Sequence, residues 1–261
     1  MKSTNVRFFK IAMKLGLHPL APRFAERVAL QHLMTPHPRD VSRLPRVAGM
    51  VTFHRTIKTG FHELAAWEWG HGPAVLLVHD WNGQASDLEA FVPPLVQAGY
   101  RVLAADLPAH GRSSGTHASI ADWRRAVGAM ARYAGNVQGV IAEGLGATVA
   151  LLAAQEGEPL RRLTLLSPPT SVEATVRDQA LALGFSEQRL PALLKELELE
   201  EHVAFAALDL RRIANRLALP SLILEDGRDR AALADYAVTF LKQGTVTPRA
   251  HLAHTEYKVA V

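Results

Sequence analysis

Residues 139–153 read GVIAEGLGATVALLA, and this stretch limits the fold more than any other in the chain. The apolar run Val140, Ile141, Ala142 stops at Glu143-Gly144-Leu145-Gly146 and passes straight into an Ala- and Leu-rich run of helical character. A strand that turns sharply into a helix is one unit of a parallel sheet covered by helices. With 261 residues, 48% of them hydrophobic, the chain can bury one sizeable core of this kind.

The same alternation runs upstream. Met50 to Lys58 and His62 to Trp69 read as an antiparallel hairpin around Thr59-Gly60-Phe61 at the sheet edge. Ala74 to Val78 is a continuous apolar strand leading into His79-Asp80-Trp81-Asn82-Gly83, and Arg101 to Leu107 is a second. Ser86 with Glu89, and Ser119 with Asp122, read as capping boxes opening the next helices, the second presenting Ile120, Trp123, Val127 and Met130 on one face. After the strand Leu163 to Leu166 the alternation stops. Residues from about 170 to 217 read as helical throughout, opened by Thr170 and Glu173, which is the pattern of a lid inserted between two strands. The charged stretch Lys195 to Glu201 within it reads as a solvated helix face. Pro220 to Glu225 resumes the sheet, a helix covers Ala231 to Lys242, and a last strand, Thr245 to Leu252, leads to His254. The expected organisation is an N-terminal helical extension over residues 1–48 and an α/β domain over 49–261.

Composition excludes several chemistries. There is no cysteine, which rules out disulfides, thiolate catalysis and Cys-ligated zinc, and no cofactor or metal is expected. The formal net charge of +4 is concentrated near the start, where Lys2, Arg7, Lys10, Lys14, Arg23 and Arg27 face only Glu26. Those basic residues are not interleaved with aromatic stacking motifs, so nucleic-acid binding is a poor reading. Phe8, Ile11, Ala12 and Leu15 mark one helix face there, and Pro22 starts a second helix carrying Phe24 and Val28. A basic helix on an anionic membrane surface is one reading, and packing on the domain's own apolar surface is preferred. Arg7, Lys10 and Lys14 interrupt any leader-like apolar run, so a cytoplasmic protein is expected.

A strand, sharp turn and helix around G-x-S-x-G is a nucleophile elbow, in which a strained turn exposes the catalytic side chain. Here Ala142 and Gly146 supply the small flanks, and Gly144 stands at the tip. HDWNG after one strand, DLPAHGRSSG (residues 106–115) after the next and this elbow after the third together resemble the α/β-hydrolase fold from Ala74 to the C-terminus, a mostly parallel sheet with helices on both faces and a small helical lid. The N-terminal helices, the tryptophan after His79-Asp80 and the PAHGRSSG loop are similar to bacterial α/β hydrolases that commonly read HGW and AHSxG. The resemblance puts the nucleophile position at Gly144, the triad acid at Asp229 within EDGRDR, the base at His254 within HLAHTEY, and the oxyanion-hole amides at Trp81 and Leu145. It departs from the pattern at Asp80, where Gly is usual, and at Glu143, where His is common.

Without the hydroxyl the covalent route is closed, and losing the serine from such a unit costs about 10⁶ in turnover. Two readings of Asp80 stay open: a carboxylate beside the oxyanion amides, opposing the developing charge, or one that points to solvent or caps the following turn. Glu143 reads as solvated at the rim or paired with an arginine, His79 and His110 as packing residues, and Ser113 and Ser114 as loop hydroxyls. The preferred function is a pseudoenzyme that keeps the pocket for a small molecule. The alternative is non-covalent acid/base hydrolysis or lyase chemistry on an ester, lactone or amide-like molecule through His254 and Asp229. An ordinary esterase with its serine replaced by glycine is a third reading, and Asp80 and Glu143 speak against it. Asp80, Glu143 and Asp229 at one mouth would favour a cationic or amine-bearing ligand over an anionic one.

Overall fold

The computed structural model describes residues 30–37, 44–214, 216–217, 219–225, 229–244 and 258–260. Eight strands form one sheet: β1 (Phe53–Thr59), β2 (His62–Trp69), β3 (Ala74–Val78), β4 (Arg101–Ala105), β5 (Val137–Glu143), β6 (Leu163–Leu166), β7 (Ser221–Leu224) and β8 (Lys258–Ala260). Their order is β1-β2-β4-β3-β5-β6-β7-β8, parallel from β4 to β7. The edge elements are antiparallel: β1 pairs with β2 from Phe53↔Glu68 to Thr59↔His62, β2 with β4, and β8 with β7. This is the α/β-hydrolase architecture, and the expected hairpin is present at its edge.

The central strand β3 is buried along its whole length, as a five-residue apolar run flanked by parallel neighbours must be. Helices cover both faces. On one lie α1 (Val92–Gln97), preceded by a 3-10 turn Ala85–Phe91, and α7 (Arg230–Gln243), packed on Val75, Leu77 and Ile141. On the other lie α2 (Ile120–Ala134) and α3 (Leu145–Gln155), packed on Leu76, Val78 and Val140. Helix α2 behaves as its sequence demands: Ser119 and Asp122 cap each other's amides, and Trp123, Val127 and Met130 are fully buried. Between β6 and β7 stand α4 (Val172–Ala182), α5 (Leu190–Glu201), a 3-10 turn Phe205–Leu208 and α6 (Leu210–Ala214).

Two caps differ from expectation by one or two residues. The turn at Ala85 is opened by Gln84, whose amide donates to Asp87 Oδ2 at 3.0 Å, while the Ser86 side chain is buried and Glu89 takes no part in the cap. Helix α4 is capped by Ser171, which accepts from the Ala174 amide, in place of Thr170. The segments around Phe8 to Leu15 and Pro22 to Val28, the strand Thr245 to Leu252 and His254 lie outside the described residues. Strand β8, beyond them, was not expected.

The elbow binds β5, α3 and β3 at close range. Gly146 sits in the first turn of α3 against β3, where a Cβ would stand 2.3 Å from the His79 carbonyl oxygen and 3.0 Å from a Val78 methyl. Backbone cannot give way as a flexible side chain can, so Gly146→Ala is expected to lower unfolding stability by about 1–3 kcal/mol. Urea denaturation checks this, and an unchanged midpoint would contradict the close approach of α3 to β3.

Candidate functional site

The site lies where β3 and β5 end side by side. Gly144 occupies the tip between β5 and α3 with φ 55° and ψ −126°, a backbone conformation that glycine adopts without a Cβ penalty. Its amide donates to the Leu166 carbonyl at 2.9 Å and its carbonyl accepts from Ala147 at 3.0 Å, which fixes the turn. The elbow geometry is therefore intact around the missing side chain.

The space beyond Gly144 holds the carboxylate of Asp80. A Cβ built on Gly144 would stand 2.1 Å from both Cγ and Oδ1 of Asp80 and 2.5 Å from Oδ2. Asp80 Oδ1 accepts the Leu145 amide at 2.7 Å. Burial raises the Asp80 pKa, and the neighbouring backbone amides of Leu145 and Trp81 pull in the other direction. Of the two N–H groups that the resemblance gives to a substrate oxyanion, that of Leu145 thus serves a resident carboxylate. Of the two sequence readings of Asp80, this goes beyond the first: the carboxylate lies on the Leu145 amide.

Two buried histidines hold the Asp80 loop. His79 Nε2 accepts the Leu107 amide at 2.9 Å, so the ring proton is on Nδ1, which donates to the Asp80 carbonyl at 2.7 Å. His110 Nε2 accepts the Asn82 amide at 3.2 Å, and its Nδ1 donates to the Pro108 carbonyl at 2.9 Å. Trp123 packs edge-on against both rings and Trp81 edge-on against His110, at 4.9–5.5 Å, and the two tryptophans are tilted against each other at 5.4 Å. Asp106 completes the clamp by accepting the Ala85 and Arg112 amides, both at 2.8 Å. Ser113 Oγ accepts from Ala65 and Ser114 Oγ from Glu63, which ties both hydroxyls to β2.

The other carboxylates are placed elsewhere. Glu143 is paired with Arg230, whose two terminal nitrogens reach its oxygens at 2.5 and 3.3 Å. Asp229 is exposed and caps α7, accepting from Ala231 and Ala232 at 3.1 and 3.0 Å. The base expected beside it, His254, lies outside the described residues. The charge cluster expected from Asp80, Glu143 and Asp229 therefore does not form as such: a guanidinium neutralises Glu143, and helix amides take Asp229.

A cavity of about 310 Å³ opens beside Asp80 and Gly144. Its walls include Trp81, Leu145, Val176, Leu197 and Phe205, with Leu33 and Met34 contributed by the N-terminal extension. Ser167, held at φ 41° after β6, also lines it. A second carboxylate faces the cavity that the sequence reading did not single out. Glu201, at the end of α5, is 8% exposed, and its Oε2 accepts the Ile120 amide at 2.6 Å. Burial pushes its pKa up to about 7, and Asp122 and Glu200 add to the rise, while the Ile120 amide opposes it. The signal was present: Leu190, Leu193, Leu194, Leu197 and Glu201 share one buried stripe at helical spacing. Among the described residues no group of three or more His, Cys, Asp or Glu side chains is arranged to hold a metal, and no helix is long and apolar enough to cross a membrane.

An elbow of this geometry on this sheet defines an α/β-hydrolase-type protein whose tip carries no nucleophilic side chain. The chain belongs to the alpha/beta hydrolase family, whose model matches residues 75–258. An esterase of Pyrococcus furiosus is similar in fold, with a TM-score of 0.57 and 20% identity over 73% of this chain and 75% of that one. A second crystal form of an esterase from that organism gives 0.54 and 20% over 80% and 83%. An epoxide hydrolase of Mycobacterium thermoresistibile matches 52% of this chain and 46% of its own, at 26% identity and a TM-score of 0.44.

The histidine clamp has a pH signature. Burial holds the pKa of His79 at about 3 and of His110 at about 4, against an ordinary 6.5, so both are neutral when folded and take up protons on unfolding below pH 6.5. Stability from this source is complete above 6.5 and is lost as pH falls toward the folded values; Glu201, with its raised pKa, acts with the opposite sign. Relative to a His110→Gln variant, the protein is expected to lose about 1 kcal/mol per pH unit from pH 6.5 to 4. Parallel urea midpoints for the two proteins would contradict a neutral buried His110.

Proposed function

We propose that this chain is a ligand-binding member of its family, in which serine-type hydrolysis is closed and the pocket is kept for a small molecule. One observation carries the reading: the Asp80 carboxylate fills the place of the elbow side chain and engages the Leu145 amide. An acyl substrate would have to displace a carboxylate from the Leu145 amide, a donor that the resemblance gives to the substrate's own developing charge. The cavity beside it, with mostly apolar walls and a few polar groups, suits a small ligand. The reading includes a cytoplasmic setting and bacterial relatives, supported by the charge pattern of the N-terminal segment and by the PAHGRSSG loop.

The second reading, acid/base hydrolysis through His254 and Asp229, has less support, because Asp229 commits one carboxylate oxygen to two helix amides. Both readings are tested by turnover of activated esters. The protein is expected to hydrolyse them no faster than a His254→Ala variant, and a clear excess over that variant would favour the second reading. Gly144→Ser alone is expected to recover little, since the new side chain meets Asp80, whereas Gly144→Ser with Asp80→Gly should recover at least about tenfold more. Equal rates for the single and double variants would remove Asp80 from the account.

A further inference from the structure

Asp80 and Glu201 face one cavity from opposite sources, the end of β3 and the end of α5. Neither makes an ion pair among the described residues, and no Lys, Arg or His side chain among them lines the cavity. Glu201 is the more exposed to this imbalance. Its position at the C-terminal end of α5 sets it against that helix's negative pole, which the amide at the start of α2 offsets in part. The charges near it add no relief: Glu200 is on its own helix, and Asp122, on α2, is already engaged by Arg125, Ser119 and His62. Buried carboxylates are ordinarily paired or neutralised. Most of the remaining wall is apolar or aromatic, with Trp81, Leu145, Val172, Val176, Leu197 and Phe205 able to take a hydrocarbon body, beside the uncharged polar side chains of Asn82, Ser167, Thr175 and Gln179.

Resting on the ligand-binding reading, we propose that the cavity takes a small organic amine, with its ammonium held by Glu201 and Asp80 and its apolar body against the Trp81–Phe205 side of the pocket. An ammonium supplies a countercharge that is missing among the described residues and donates to both carboxylates. A neutral alcohol of the same length supplies hydrogen bonds without charge, and a carboxylate ligand adds a third anion. The chain thereby keeps the preference expected for a three-carboxylate mouth, but through a different acid, contributed by the helical segment between β6 and β7.

Titration calorimetry of the full chain with hexylamine, hexan-1-ol and hexanoate tests this at pH 8. Hexylamine is expected to bind at least about tenfold more tightly than hexanol, with hexanoate weakest. Glu201→Gln keeps a side-chain oxygen for the Ile120 amide, so it should fold, and together with Asp80→Asn it serves to locate the ammonium. Each variant is expected to reduce hexylamine affinity by about tenfold and leave hexanol unchanged. Lowering the pH to 6, where Glu201 takes up its proton, should weaken hexylamine about tenfold in the parent protein and hardly at all in Glu201→Gln. Equal binding of amine and alcohol, or an amine advantage that survives in both variants, overturns the amine assignment and leaves the pocket reading standing. Binding of none of the three ligands overturns both.

Discussion

The 2.7 Å hydrogen bond from the Leu145 amide to Asp80 Oδ1 is the contact on which the rest of this site depends. It exists because β3 and β5 are parallel neighbours, with Val78 in register with Ala142, so that the residues just beyond them meet at the elbow tip. Two side chains cannot share that space. A Cβ at Gly144 and a carboxylate at Asp80 would overlap at 2.1 Å, so the glycine and the aspartate are a matched pair rather than two independent departures from a hydrolase pattern. The glycine retains the strained turn, and the aspartate satisfies the amide that the turn exposes.

Holding a carboxylate at that point requires a rigid loop beneath it. Neutral His79 and His110 provide this by accepting amides of Leu107 and Asn82 while donating to carbonyls of Asp80 and Pro108. Their burial keeps them uncharged, and the tautomer of each is set by its backbone partners. The same arrangement has an electrostatic consequence. The Leu145 amide, which the resemblance gives to an oxyanion, is taken by the Asp80 carboxylate, and this acid faces the cavity together with Glu201 from α5.

Much of the fold was legible in the sequence, because β3 and the central parts of β4 (Val102 to Ala105) and β5 (Val140 to Ala142) are apolar runs followed by turn residues, and because Ser119 and Asp122 stand at capping-box spacing before an amphipathic face. The vacant tip at Gly144 was legible for the same reason. The direction of Asp80 was not, since it depends on the register of β3 against β5 and on the room that the glycine leaves. Glu201 was masked by its setting, since it closes the charged stretch Lys195 to Glu201, which reads as a solvated helix face. Its place on the stripe of Leu190, Leu193, Leu194 and Leu197 was the stronger signal. The arginine partner of Glu143, by contrast, lies 87 residues away in sequence, and no local pattern joins the two.

The central claim is that Asp80 occupies the place of the elbow side chain, and a double-mutant cycle measures it directly. Unfolding free energies of Gly144→Ala, Asp80→Gly and the double variant separate the backbone cost of a Cβ at positive φ from its collision with the carboxylate. The account predicts a coupling of at least about 1 kcal/mol, with Gly144→Ala much less damaging once Asp80 is glycine. Additive effects, within about 0.3–0.5 kcal/mol, would contradict it.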